Sequence, residues 1–509
     1  MKKISILITS LITSSLSYSQ QKPNILYIMA DDHTTTAIGA YGSHLAELNS
    51  TPTIDKLANE GVIFENTFCN NAICTPSRGT ILTGQYSHIN SIVGNNNPLD
   101  SAKQYLALEM RKAGYETAIV GKWHLISKPA AFDYFQVLPK QGKYNNPEFR
   151  VKGKDEIVKY TGHSTDVIAS STIKWISERK SKNKPFFINM HFKAPHGGFQ
   201  NAERYNTFLA DVQIPEPPSL RSRGNGSIAT FGVDNELENY ISSSVGGRHP
   251  ENGYRRYVTK EDAGDDVLGA AYQEYLKRYL RCVKGVDDNI KRVLDYLKET
   301  GQYENTVIIY AGDQGFFLGE HDKIDKRMGY EEAMRMPFII HYPKKIKSGK
   351  SDAIVENIDF APTMLDFAGV KTPEYMNGVS VLPILESGEE PEGWKDKAYY
   401  QYYSHLGGHY NPGHIAMRTK QYRLILFHGV NYRGQTNIQT PAAWELYDLE
   451  KDPFEMNNVY DDAAYQKIVV DLKHQFMEYR KEIGVDTSII NEHVNSVIDE
   501  YWDYSAEDR

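Results

Sequence analysis

The chain has 509 residues, too many for one small core and few enough for one large domain with a satellite, so two domains are expected. Its net charge of -8 argues against nucleic acid as a partner held by global attraction, and any anionic substrate would need a local cluster of cations. Three cysteines supply no disulfide framework and leave at least one thiol unpaired.

Residues 1–19 read as a cleaved secretory signal. Lys2 and Lys3 open it, an apolar run diluted by serine and threonine follows, and Ser17, Tyr18 and Ser19 form the small-residue cleavage site. No cysteine stands at that site, and no later apolar run approaches the ~20 residues that span a bilayer. Export to the periplasm or the medium is expected, with no membrane anchor. Residues 20–385 are expected to form the large domain and 386–509 a small C-terminal α+β unit.

Residues 24–29 are almost wholly apolar, the pattern of a strand buried on both faces of a parallel sheet, and they lead to Asp31 and Asp32. Two adjacent acids repel unless neutralised, so they are either plain turn residues or holders of a hard cation. A helix opens at Thr51-Pro52-Thr53, buries Ile54, Leu57 and Ala58, and closes at Gly61. In Cys74-Thr75-Pro76-Ser77-Arg78 a thiol stands at a predicted helix N-terminus beside a cation, and both features lower a thiol pKa. A bridge from Cys74 to Cys69 is the rival reading.

Further on, residues 102–113 read as a helix stopped by Gly114, and 115–120 as a strand ending at Gly121-Lys122-Trp123-His124. A helix over 166–179 precedes a strand over 185–192, which ends at Ala194-Pro195-His196. A helix over 271–300 precedes a strand over 306–310, which ends at Gly312-Asp313-Gln314. Residues 215–256, rich in Gly, Ser, Pro and charge, read as a long surface insertion near the pocket or a disordered loop. After a helix over 360–368, the Pro/Gly/Glu-rich stretch 378–394 marks a boundary. Short antiparallel strands follow over 399–403, 415–419, 422–427 and 444–447, with a covering helix over 463–483.

This alternation predicts an α/β sandwich with a mainly parallel sheet. Four apolar strands each deliver ionisable or ligand residues at their C-terminal ends, where open α/β sheets place ligand sites.

Cys74-Thr75-Pro76-Ser77-Arg78, followed by Gly79-Thr80-Ile81-Leu82-Thr83-Gly84, resembles the signature of the formylglycine-dependent sulfatases. The likeness extends over nearly the whole chain, through Gly121-Lys122-Trp123-His124, Pro195-His196, Asp313-Gln314-Gly315, Leu318-Gly319-Glu320-His321, Asp325-Lys326-Arg327, Tyr330-Glu331-Glu332 and Trp444-Glu445-Leu446-Tyr447-Asp448-Leu449. The resemblance implies an alkaline-phosphatase-like α/β fold with a small C-terminal sheet domain, residues 20–385 being the catalytic part. It implies that a maturation enzyme oxidises Cys74 to formylglycine (3-oxoalanine), whose hydrated aldehyde is the nucleophile. It also implies one calcium ion held by Asp31, Asp32, Asp313, Gln314 and an oxygen of the modified Cys74. Many family members carry Asn where this chain has Gln314, whose longer side chain still offers a carbonyl oxygen. Three carboxylates and a carboxamide suit calcium or magnesium and not zinc.

By the same resemblance, Arg78, Lys122 and Lys326 hold the sulfate, His196 protonates the departing alcohol, and His124 accepts the proton of the second diol hydroxyl. His33, His88, His321, His405, His409 and His414 are candidates for the substrate side, without catalytic roles. The implied activity is hydrolysis of sulfate esters on a sulfated polysaccharide or oligosaccharide, with an algal polysaccharide such as ulvan as the expected substrate and animal glycosaminoglycans as the alternative. The 35 tyrosines are able to stack on its rings. The sugar is expected to meet residues 215–256 and 405–414. A phosphonate or phosphodiester hydrolase and a non-catalytic glycan-binding protein are the competing readings.

Overall fold

The apolar run near the start of the chain is strand β1, Asn24–Asp31, and all eight residues are buried. It lies inside a ten-stranded sheet in the computed structural model, which describes residues 22–179, 181–231, 264–406, 411–434 and 440–502. The signal segment 1–19, residues 232–256 of the expected insertion, and His409 lie outside the described residues.

The sheet also contains β2 (Val62–Phe68), β3 (Glu116–Lys122), β4 (Tyr134–Leu138), β5 (Glu148–Val151), β6 (Val158–Lys159), β7 (Phe186–Pro195) and β8 (Thr306–Gly312). A two-stranded ribbon follows, β9 (Phe317–Leu318) with β10 (Ile324–Asp325), before β11 (Phe338–His341) and β12 (Gly349–Glu356) return to the large sheet. The strand order is β12-β2-β11-β8-β1-β7-β3-β4-β5-β6. From β8 to β4 every pairing is parallel, so the four strands legible in the sequence form the contiguous centre. β11 is antiparallel to both its neighbours, and β5 and β6 extend the far edge as an antiparallel ribbon. At Gly121, with φ +112°, a Cβ would lie 1.8 Å from the His191 carbonyl oxygen, so only glycine lets β3 close against β7 here.

Helix α1, Pro52–Glu60, matches its expected bounds and buries Ile54, Leu57 and Ala58. Its N-terminus is held by Asp287 of the long helix Val267–Glu299: the amides of Thr53 and Ile54 each donate to Asp287 Oδ1 at 2.9 Å. The helix expected over 102–113 is instead a short turn, Ser101–Lys103, and a helix, Tyr105–Lys112. Gln104 separates them, because its buried carboxamide turns away to donate to the Lys128 carbonyl and accept from the Ala131 amide. The expected boundary stretch 378–394 contains a helix, Leu382–Ser387.

Near the C-terminus β13 (Lys397–Tyr402), β14 (His414–Thr419), β15 (Tyr422–Phe427) and β16 (Ala443–Asp448) form a separate antiparallel sheet in that order. Its two faces alternate with period two. Tyr400, Tyr402, Ala416, Ile425 and Phe427 face the main core, while Tyr399, Ile415, Met417, Leu424 and Leu426 pack with Val469, Leu472 and Phe476 of the helix Gln466–Glu482.

Candidate active site

The parallel strands end together, and their ends carry the charge. Asp31 closes β1 and Asp32 follows it; Lys122 closes β3; His196 follows β7; Asp313 and Gln314 follow β8; Lys326 follows β10. Helix α2, Cys74–Thr83, points its first turn at the same place, and all ten of its residues are buried. Positions 74, 77 and 78 share one helical face. There the Ser77 hydroxyl donates to the Asp313 carbonyl and receives the Asn357 carboxamide at 3.0 Å, which docks the helix onto the end of β8.

Asp32 sits in the left-handed region, φ 64°. That conformation, which costs of order 1 kcal/mol for such a residue, lets its amide donate to Asp313 Oδ1 at 3.0 Å while its carbonyl accepts the Tyr279 hydroxyl at 2.7 Å.

Three carboxylates and three cations interlock. The Cys74 thiol donates to Asp31 Oδ1 at 3.1 Å, and the Lys326 and Lys122 ammoniums lie 3.5 and 3.9 Å from its sulfur. Lys122 is ion-paired with Asp31, and Lys326 with Asp32. Arg78 straddles Asp313, with Nε 3.1 Å and Nη2 3.0 Å from Oδ2, and its Nη1 donates to the Lys122 carbonyl at 2.9 Å. His196 Nε2 lies 3.8 Å from Asp32 Oδ2, and His124 Nδ1 lies 3.5 Å from the Thr75 hydroxyl. The structure thus brings Asp31, Asp32, Cys74, Arg78, Lys122, His124, His196, Asp313 and Lys326 into one cluster.

The environment sorts these groups. Burial pushes the Asp31 carboxyl up, but Lys122, His196, Arg78 and Lys326 together hold it well below the usual range. Asp32 is pushed up to about 7, by burial against the pull of Lys326 and then by Asp31 and Asp313. Burial and the Lys122 charge keep both histidines neutral, His124 down to about 2 and His196 well below its ordinary value. The Cys74 thiol corrects the sequence-based expectation: burial and the Asp31 charge push it up, not down. The helix N-terminus and Arg78 were expected to acidify it, but Arg78 is spent on Asp313. Cys69, Cys74 and Cys282 are all buried free thiols, so the rival disulfide is not formed.

The donor set fits a hard divalent cation. Ligand atoms of Asp31, Asp32 and Asp313 all lie within 4.8 Å of one another. Asp32 Oδ2 and the Gln314 carbonyl oxygen are buried with no hydrogen-bond partner, while the Gln314 amide donates to the other oxygen of Asp32. Two orphaned oxygens beside converging carboxylates match an all-oxygen coordination shell.

Of the remaining candidate histidines, the five that are described, His33, His88, His321, His405 and His414, are buried and do not line an open substrate side as expected. His33 is hydrogen-bonded to Tyr310, His88 stacks on Tyr86 and contacts the Ile483 carbonyl at 2.9 Å, and His321 stacks on Tyr330. His414 is packed among Tyr400, Tyr402 and Phe427, and His405 is buried with Nδ1 accepting the Gly413 amide. Their hydrophobic packing, invisible in sequence spacing, makes them core residues.

Two residues not singled out beforehand stand against the cluster. Gln141 accepts from Lys122 Nζ at 2.6 Å. Lys193 near the end of β7 lies over the Tyr144 ring at 4.7 Å, and burial and Lys122 bring its ammonium down to about 8. Its place on a strand that leads to His196 was the available signal.

A sulfatase family model matches residues 23–370, and a model of the N-sulphoglucosamine sulphohydrolase C-terminal region matches residues 319–482. An N-acetylglucosamine-6-O-sulfatase of Bacteroides thetaiotaomicron is 38% identical over 501 residues, spanning 91% of this chain and 87% of that protein. An ulvan-active sulfatase of Formosa agariphila is 24% identical, spanning 91% of this chain and 82% of its own. A solved structure described as a complex with its substrate D-glucosamine-2-N,6-O-disulfate superposes with TM-score 0.82 at 36% identity, covering 92% of this chain and 99% of that one.

Proposed function

This chain belongs to the sulfatase family, and on that premise we propose that it hydrolyses a 6-O-sulfate ester on a glucosamine-type residue of a sulfated glycan. The observation that supports the reading most is the cluster around Cys74, intact in a chain 38% identical to an N-acetylglucosamine-6-O-sulfatase.

Oxidation of Cys74 to formylglycine gives this position a hydrated aldehyde, whose hydroxyl is the nucleophile toward sulfur. Asp31, Asp32, Asp313 and Gln314 would hold a calcium ion, which would supply polarisation of the sulfate oxygens and neutralise the carboxylates. The chain's own cations do the rest of the positioning. Lys122 and Lys326, both already within 4 Å of the Cys74 sulfur, are aimed at the oxygens that gain charge as the ester bond breaks. Arg78 fixes the helix turn that carries Cys74, through Asp313. His196 delivers a proton to the sugar oxygen as its bond to sulfur breaks, leaving the sulfuryl group on the Cys74 position. His124 then takes the proton of the second diol hydroxyl, which breaks the C–O bond to sulfate, expels it and re-forms the aldehyde for hydration by water. His196 is neutral beside Lys122; an arriving sulfate brings the negative charge that draws a proton onto its imidazole.

Cys74 is 1% exposed, so the maturation enzyme acts before α2 docks against β8. No helix among the described residues is long and apolar enough to cross a membrane, and residues 1–19 direct export.

Ulvan is the second reading, favoured by two ulvan-active relatives at 24% and 26% identity. Release of inorganic sulfate from 6-O-sulfated N-acetylglucosamine, ulvan oligosaccharides and an aryl sulfate, beside phosphate release from an aryl phosphonate monoester, tests both. Sulfate release fastest from the glucosamine ester supports the first reading. A preference for ulvan replaces its substrate, and phosphonate hydrolysis alone overturns it.

A further inference from the structure

We propose that a cleft beside Trp123 is a subsite for an anionic part of the glycan, beyond the ring that carries the scissile sulfate; this rests on the sulfatase reading above. The cleft has a volume of about 920 Å³. Sites that hold one drug-sized ligand run from about 300 to 1,000 Å³, and the cleft lies near the top of that range.

Its position follows from the sheet. The antiparallel ribbon of β5 and β6 is appended to the parallel sheet beyond β4, and Arg150 of β5 and Lys154 of the following turn line the cleft together with the loop after β3. At its inner end the cleft opens onto the catalytic machinery through three residues. His124 lines it directly. Gln141 lines it and accepts from Lys122 Nζ at 2.6 Å. Asn95 lines it and accepts the Thr75 amide, next to Cys74, at 3.5 Å.

Its charge is opposite to that of the chain. Lys128, Lys140, Arg150 and Lys154 line the cleft and are exposed, and none makes an ion pair among the described residues. Asp155 and Glu156 are the acids of the same lining, so cations exceed acids by two in a protein whose net charge is -8. Unpaired surface cations gathered around one cleft raise the local concentration of an anion. Ile126 and Ile157, 52% and 41% exposed, offer aliphatic surface to the C–H face of a sugar ring. An anionic oligosaccharide, bearing sulfate or carboxylate on a neighbouring ring, meets all of these features. A neutral glycan or a lone monosaccharide leaves the cations unused.

The test compares two substrates on mature, calcium-loaded protein: a 6-O-sulfated glucosamine monosaccharide, and tetrasaccharides ending in the same unit that carry either a second sulfate or only uronate carboxylates. In Arg150→Ala/Lys154→Ala, and in Lys154→Glu as a second variant, the ratio of kcat/KM for tetrasaccharide over monosaccharide is expected to fall about three- to twentyfold. In the unmodified protein the same ratio should shrink as salt is raised. The arm with the larger fall identifies the anion read. A ratio unchanged in both variants overturns the proposal while leaving the sulfatase reading intact. Absence of sulfate release from every substrate contradicts the sulfatase reading instead, and calorimetric titration of the tetrasaccharide then decides the cleft: equal affinity in variant and unmodified protein overturns it.

Discussion

Two clusters of buried charge are built differently in this molecule. Around Cys74, three aspartates meet two lysines and one arginine, and two oxygens are left without donors. Where the main body meets the C-terminal sheet, Glu331 is gripped by Arg418 at 3.1 Å and by Arg423, whose Nε lies 2.5 Å from Glu455. Nearby, the Tyr330 and Tyr447 hydroxyls both donate to Glu445, at 2.7 and 2.9 Å. The second cluster uses planar guanidiniums that fix carboxylates in place, whereas the first leans on lysine point charges whose partners can be exchanged. Neither burial of charge nor an orphaned oxygen therefore marks a reactive site by itself, since Glu332 Oε2 also lacks a hydrogen-bond partner. Three carboxylates converging from strand ends within 4.8 Å of one another do.

Breaking the first cluster should abolish turnover and leave the fold. Cys74→Ala removes the position that becomes the nucleophile, and sulfate release is expected to drop by about ten-thousandfold or more, with an unchanged far-ultraviolet spectrum. Breaking the second should do the reverse. Arg423→Ala leaves Glu331 and Glu455 buried with one partner fewer and is expected to cost about 3–5 kcal/mol of stability, read as a fall in denaturation midpoint, with kcat of the folded fraction preserved. If Arg423→Ala instead lost activity at full stability, the division between the clusters would fail.

Within the first cluster, Lys326→Ala should lower kcat/KM about a hundred- to thousandfold on every ester, since it removes a preorganised charge. His196→Ala should cost about ten- to a hundredfold on a sugar sulfate and much less on an aryl sulfate, whose leaving group needs no proton. Equal losses on both esters would exclude the proton-delivery role.

The smallest expected effect is a pH slope from the second cluster. Burial first, and then the Glu331 charge, raise Glu455 from 4.5 to about 7. A carboxyl whose folded pKa is raised binds its proton more tightly when folded, so its contribution is full below 4.5 and is lost as pH rises toward 7. The melting temperature of Glu455→Gln should accordingly fall less between these pH values than that of the unmodified protein. A steeper fall in the variant would reverse the assignment.

The difference between the clusters also governs how much was legible in the sequence. Asp31, Lys122, His196 and Asp313 each end a long apolar run, and strand periodicity announces both the strand and the place where it stops. The central parallel strands and the C-terminal antiparallel sheet were readable for the same reason. β2, β11 and the ribbon of β5 and β6 were not, because they are short or interrupted by polar residues, as in Glu65 and Asn66 of β2. The ribbon's role in shaping the cleft was hidden with it. The thiol of Cys74 was misjudged for another reason: sequence gives its nearest cation, Arg78, but not the aspartate that takes that cation or the depth of burial. Likewise Tyr330-Glu331-Glu332 and Trp444 to Leu449 were recognisable as motifs, yet only the fold reveals that they meet each other and weld the C-terminal sheet to the body.

The most direct test of the account is sulfate release from 6-O-sulfated N-acetylglucosamine by exported, calcium-loaded protein, measured beside Cys74→Ala. The account predicts release by the first and background by the second. Equal release by both, or none from a protein whose Cys74 peptide carries formylglycine, would contradict it.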